Sequence, residues 1–157
     1  DSDVDVLMLH SDTKRLASLT YVNFSSIYQL RVHPQWEIIG EKNRSYFESQ
    51  GITFVAPNAR VYNLEDNRHV DIWPIYDFHP DQPTNTTLRG KTLFQYSFDY
   101  AWASYPIEWT FPLKPCLFSQ IKTWCPAMPE KIVSLLYGSQ AINQSDHICK
   151  DGSWVDV

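Results

Sequence analysis

The sequence predicts an α+β fold, and three observations carry that prediction. Short runs of β-branched, aromatic and aliphatic residues recur along the chain, from Val4 to Trp124. Helical signals are few and short. Hydrophobic residues make up 43% and aromatic residues 15% of 157 residues, which suits one packed domain over residues 1–157.

The elements follow in order. Val4-Asp5-Val6-Leu7-Met8-Leu9 reads as a strand by its β-branched and apolar content. Ser11-Asp12 caps a short helix carrying Leu16 and Leu19. Residues 21–32 are strand-like, and Pro34 closes them. Residues 46–50 suit a helical turn ending at Gly51. Residues 52–55 and 60–64 read as paired strands around Pro57-Asn58. Val70-Asp71-Ile72-Trp73 is an apolar stretch interrupted by one acid, and residues 80–90 form a Pro-, Thr- and Asn-rich loop.

Residues 93–98 look like a strand. The alternating Phe94, Tyr96, Phe98, Tyr100 and Trp102 suggest one strand face packed on the core. Phe111-Pro112-Leu113-Lys114-Pro115 is extended, because proline restricts itself and its neighbour. Leu117-Phe118 and Ile121-Lys122-Thr123-Trp124 flank Ser119-Gln120 as a hairpin. Residues 129–137 form a helix with Pro129 in its first turn, Glu130 near its positive end and Gly138 past its last turn. The tail from Asn143 reads as irregular.

A net charge of -5 offers no general hold on a phosphate backbone, so nucleic acid is not an expected partner. An acidic chain that binds a phosphorylated ligand usually needs a divalent metal to neutralise it. No apolar run has the length of a membrane span. The chain opens at Asp1, inside a strand, so the expectation is a fragment with any anchor or leader preceding it. Asn-x-Ser/Thr triplets stand at Asn23, Asn43, Asn85 and Asn143, an excess that favours a secretory-pathway lumen and glycosylation.

The chemistry concentrates in the acids. Asp3 and Asp5 are two apart, so on a strand they point to one side, with Asp1 on that side if the strand reaches it. Val4 and Val6 face the other way, into a core. Two carboxylates on one face repel unless a cation sits between them, and hard oxygen ligands suit Mg²⁺ or Mn²⁺. Asp71 is a second acid on an apolar strand, where an unpaired charge is costly. If the two strands are neighbours, Asp71 completes a carboxylate cluster fit for phosphoryl or nucleotidyl transfer. Two other readings stand beside this one. A calcium loop fits poorly, with Val6 where that loop wants Gly and Asp12 where it wants Glu. A solvated acidic strand end is the bland alternative.

Of the three cysteines, none sits in a C-x-x-C pair. Cys116 and Cys125 lie on opposite sides of the Ser119-Gln120 turn, where either a bridge or two buried thiols fits.

The ordered pattern of Phe111-Pro112-Leu113-Lys114-Pro115-Cys116, Cys125-Pro126 and a helix ending Leu135-Leu136-Tyr137-Gly138 resembles the LicD and fukutin family of phosphotransferases. The Asp-rich opening strand, the later apolar-Asp-apolar strand and the closing Gly152-Ser153-Trp154 match the same pattern, in the manner of the invertebrate fukutin-like branch. The resemblance implies a nucleotidyltransferase-like mixed β-sheet with flanking short helices. It implies transfer of a phospho-alcohol group, ribitol phosphate or phosphocholine, from a CDP-linked donor to a glycan or glycoprotein acceptor, in the Golgi for the fukutin branch. Carried over residue by residue, Asp3 and Asp5 match the metal-binding pair, Asp1 the preceding acid and Asp71 the later acid. The resemblance also implies an N-terminal helix and Gly-containing turn that help hold donor phosphates, and the expectation is that this segment is missing before Asp1. A non-catalytic glycan-binding or scaffold module that keeps the fold is the alternative.

Secondary candidates complete the reading. Lys114, in a stiff extended segment, is a candidate for a donor phosphate, with a surface lysine as the alternative. Trp154 is a candidate to stack on a base or sugar, or to anchor the tail. Arg44 and Arg60 are further phosphate candidates, and His69 and His79 flank the Asp71 strand.

Overall fold

A computed structural model of the chain describes residues 4–40, 43–45, 47–49, 52–54, 57–66, 68–96, 101–118, 120–143, 147–150 and 153–156. Residues 47–49, 52–54, 147–149, 153, 154 and 156 are described by backbone alone. The architecture is α+β, with short helices and several sheets, and the chain divides into two compact units, residues 1–89 and 90–157.

The first unit opens with β1 (Val4–Leu9), a 3₁₀ turn (His10–Asp12) and helix α1 (Thr13–Ala17). Asp12 stands at the helix N-cap but makes no side-chain capping bond, and Leu19 lies beyond the helix. Strand β2 (Tyr28–Val32) is shorter than the predicted run, because residues 21–27 turn and bend. Next come β3 (Phe47–Ser49), β4 (Ile52–Phe54), β5 (Ala59–Asn63) and β6 (His69–Ile75).

One predicted element and one predicted pairing are corrected here. Phe47–Ser49 is a strand, not a helical turn, and it pairs antiparallel with β4. The predicted cap Gly51 lies outside the described residues. Strand β5 pairs with β2 and β6 instead of with β4. A three-residue strand is too short to show a period of two, so its sequence is not separable from a turn.

A four-stranded mixed sheet results, in the order β1-β6-β5-β2, with β1 and β6 parallel and the other pairs antiparallel. Its two faces differ because successive side chains alternate. One face carries Leu30, Val32, Ala59 and Ile72, packed with Met8, Leu16, Ala17, Trp36 and Val61. Val4 and Val6 share that face by register but remain 39% and 44% exposed, since β1 lies at the edge of the sheet. The other face carries Asp5, Asp71, Arg60 and Arg31 beside apolar residues such as Leu7 and Ile75, and it holds the candidate site.

A buried polar knot ties the β5 end of this sheet to the first helix. Asn58 accepts a hydrogen bond from Arg44 Nη2 and donates to Thr13 Oγ1 at 2.9 Å. Arg44 also donates to the carbonyls of Trp36 and Ile38, at 3.1 and 3.2 Å. Arg44 is therefore a structural clamp, buried to 6% exposure, and not a surface phosphate ligand.

The second unit begins with β7 (Thr92–Tyr96) and β8 (Trp102–Pro106), an antiparallel hairpin. The aromatic run is thus two strands, not one. Tyr96 and Trp102 are partners across the hairpin, with ring centroids 3.9 Å apart, while Phe98 and Tyr100 lie outside the described residues. Strands β9 (Lys114–Phe118) and β10 (Ile121–Cys125) form the predicted second hairpin, closed by a disulfide between Cys116 and Cys125 with their Cα atoms 5.9 Å apart. That settles the open question of bridge against free thiols. Helix α2 (Pro129–Tyr137) has Pro129 in its first turn, buries Ile132 and ends at Gly138, whose φ of 86° suits a residue without Cβ. The tail is corrected from irregular to an antiparallel hairpin, β11 (His147–Lys150) with β12 (Ser153–Asp156). No helix among the described residues is long and apolar enough to cross a membrane.

Candidate active site

The site face of the mixed sheet is built by register. Asp5 on β1 and Asp71 on β6 are Cα partners on adjacent parallel strands, so both side chains leave the same face. Asp71 is in turn the partner of Arg60 on β5, and Arg60 is the partner of Arg31 on β2. One row across all four strands therefore reads Asp5, Asp71, Arg60, Arg31. Val70 and Ile72 place Asp71 on β6, because they claim the apolar face and leave the residue between them to the other.

Asp71 is only 4% exposed, and its charge is met by Arg60. Arg60 Nε lies 2.6 Å from Oδ1, and Nη2 donates to Oδ2 at 3.1 Å, a two-point contact. His69 Nε2 stands 3.5 Å from the same Oδ1. Arg60 Nη1 also donates to the Tyr62 hydroxyl at 3.2 Å. Burial acts to depress the Arg60 guanidinium, but its bonds to Tyr62 and Asp71 outweigh this and raise it. Burial pushes the Tyr62 hydroxyl up, so it stays protonated near neutrality.

Asp5 has the opposite environment. It is exposed, and its Oδ1 accepts a hydrogen bond from the indole Nε1 of Trp73 at 3.0 Å. Trp73 sits two residues beyond Asp71 on β6 and shares its face. Arg31, at the far end of the row, is buried: its Nε donates to Gln29 Oε1 at 2.5 Å, and its guanidinium lies 4.5 Å from the Tyr21 ring centre.

The structure brings together Asp5 and Asp71. Asp1 and Asp3 lie outside the described residues, so their part of the cluster does too. Among the described residues, no group of three or more His, Cys, Asp or Glu side chains stands at metal-holding separation. Asp5 and Asp71 leave one face of the sheet as neighbouring carboxylates, and Arg60 already holds Asp71 at two points.

Lys114 lies in the second unit, where its Nζ donates to the Ala127 carbonyl at 2.9 Å. Trp154 is a β12 residue opposite Cys149, and its side chain lies outside the described residues. Asn23, Asn43, Asn85 and Asn143 are all exposed. Trp73 as a partner of Asp5 is not legible in the sequence, and Arg60, one of the phosphate candidates, pairs with a carboxylate in the structure. The alternation Arg60-Val61-Tyr62 was the available signal, but it names no cross-strand partner without the register.

Residues 1–128 match the family described as LicD/FKTN/FKRP, nucleotidyltransferase domain. The chain belongs to that family. The matched span holds β1 through β10, and so both Asp5 and Asp71. No curated protein matches the chain by direct sequence comparison. Membership of the LicD/FKTN/FKRP family brings with it a transferase-type role in the modification of glycans or polysaccharides.

Proposed function

We propose that this chain is a metal-dependent phosphotransferase that moves a phospho-alcohol group, of the ribitol phosphate or phosphocholine type, from a CDP-linked donor to a glycan or glycoprotein. The observation that supports it most is the pairing of Asp5 with Asp71 across adjacent parallel strands of a family nucleotidyltransferase domain. On this reading Asp5, Asp71 and the undescribed Asp3 and Asp1 hold Mg²⁺ or Mn²⁺. The ion, when bound, neutralises charge on the donor phosphates.

The chain's own residues divide the remaining work. Exposed Asp5, which accepts a hydrogen bond from Trp73, is proposed to take the proton of the attacking acceptor hydroxyl. Buried Asp71 is held at two points by Arg60 and anchors the site to the sheet. Lys114 and Trp154 are proposed as donor contacts. Exposed sequons at Asn23, Asn43, Asn85 and Asn143 support a secretory-pathway site such as the Golgi lumen.

One observation favours a second reading, a non-catalytic glycan-binding or scaffold module. Asp71 already has a cationic partner in Arg60 and does not need a metal to be stable. Calorimetric titration of CDP with and without Mg²⁺ separates the two. Heat that requires Mg²⁺ and disappears in Asp5→Asn supports the enzyme. Absence of metal-dependent heat supports the scaffold.

A further inference from the structure

We propose that the disulfide-closed hairpin of β9 and β10 is a membrane-docking element, which seats its apolar tip among the headgroups and upper acyl chains of a phospholipid surface. The proposal goes beyond the phosphotransferase reading and does not depend on it. It starts from four side chains. Leu117, Phe118, Ile121 and Trp124 are 70, 56, 68 and 66% exposed. The register divides them between the two faces of the hairpin. Leu117 stands opposite Lys122 and shares a face with Trp124, while Phe118 stands opposite Ile121 on the other face. Each strand has five residues, and the Cys116–Cys125 bridge joins them. An isolated two-stranded hairpin is marginal in water, so the covalent clasp does here what apolar burial does elsewhere.

Large apolar groups on both faces select the kind of partner. A protein laid against one face leaves the other in water. A lipid interface surrounds the tip and takes up both faces at once. Trp124 suits that zone, because an indole joins an apolar body to an N–H that headgroups satisfy. The charge pattern agrees. Between Trp109 and Glu130 the only ionic residues are Lys114 and Lys122, in a chain of net charge -5. A tip without carboxylates meets no repulsion from headgroup phosphates. Lys122 lays its alkyl stem along the apolar surface beside Leu117 and offers its ammonium to those phosphates. Strand length limits the depth. Five extended residues cover about 17 Å, against a hydrocarbon core of about 30 Å, so the hairpin dips into the interface and does not span it.

The test is flotation of the whole chain, kept oxidised, with vesicles of phosphatidylcholine mixed with phosphatidylserine. Wild type, Trp124→Ser, Ile121→Ser and Lys122→Glu are compared, with folding checked by circular dichroism. Wild type should float with the vesicles. Trp124→Ser and Ile121→Ser, one on each face, should each weaken partitioning by at least about tenfold, the scale of one bulky apolar side chain. Lys122→Glu should weaken it by at least about fivefold, the worth of one basic residue near an anionic surface. If one variant does not fold, the others carry the test, because each reads a different part of the tip. Failure of wild type to float overturns the proposal, and so does flotation unchanged in the folded variants. A loss in Trp124→Ser with none in Ile121→Ser overturns it too, since it means contact through one face only. Self-association in sedimentation velocity that Trp124→Ser abolishes, without flotation, assigns the hairpin to a second copy of the chain instead. Metal-dependent CDP binding is a separate measurement, so the phosphotransferase reading stands or falls apart from this one.

Discussion

Asp5 and Asp71 stand opposite each other on adjacent parallel strands, yet Asp5 is exposed under the Trp73 indole N–H and Asp71 is buried under Arg60. Equal chemistry in unequal surroundings separates function from stability. Asp5→Asn should leave the urea midpoint nearly unchanged, within about 0.5 kcal/mol, while removing Mg²⁺-dependent CDP binding. Asp71→Asn should remove that binding and also destabilise the fold by about 2–3 kcal/mol, because the Arg60 guanidinium loses the Asp71 carboxylate. Equal stability losses in the two variants would contradict this assignment.

His10 predicts the acid limb of stability. Its ring stacks on Tyr76 with centroids 4.7 Å apart. Burial, helped by the nearby Arg44 charge, lowers its pKa from 6.5 to about 4 against an opposing pull from Asp77. The folded state therefore holds the ring neutral where the unfolded chain would protonate it. This contribution is complete above pH 6.5 and is lost as pH falls towards 4, by on the order of 1–2 kcal/mol for a half-buried ring. His33 is lowered too, mainly by burial, and acts in the same direction. Urea midpoints between pH 7 and 4.5 should show the loss, and His10→Phe should flatten the curve.

Tyr105 predicts the alkaline limb. It is buried to 2% exposure and its hydroxyl donates to Gln95 Oε1 at 2.6 Å. Burial pushes its pKa up to about 12. The stabilisation is whole below pH 10 and is lost as pH rises through 12, amounting to about 2–3 kcal/mol. Tyr105→Phe should cost about 1–2 kcal/mol at pH 8 by leaving the Gln95 oxygen without its donor. It should also remove part of the alkaline loss, which denaturation at pH 8 and 11 would measure.

The Cys116–Cys125 bridge closes a short loop of sequence separation 9. Loop-closure entropy gives it a value of roughly 2.5–3 kcal/mol. Leu117, Phe118, Ile121 and Trp124 around it are 56–70% exposed, so apolar burial adds little to this hairpin. Reduction should therefore loosen β9 and β10 first. Limited proteolysis with trypsin should cut after Lys122 rapidly in reductant and slowly without it, and equal rates would assign the hairpin's order to other contacts.

Much of the fold was legible because long, strongly patterned segments carry their own instructions. Val4–Leu9 and the Val70-to-Trp73 run were readable as strands from β-branched content alone. Pro129–Tyr137 was readable from its terminal residues. The hairpin around Ser119-Gln120 was readable too, and Gln120 takes a left-handed φ of 69° there. The failures lie where pattern is weak. Phe47–Ser49 is too short to show alternation, and the β11–β12 hairpin lacks a strong apolar run.

The sequence by itself determined which residues could share a face, because strand alternation is a local property of the backbone. It placed Asp71 between Val70 and Ile72 and so committed that carboxylate to the side away from the core. Only the tertiary structure decided what meets it there. The β1-β6-β5-β2 order sets Asp5 on one side of Asp71 and Arg60 on the other. Strand order and register are long-range choices, made by how the apolar faces of distant segments bury together, and no local pattern encodes them.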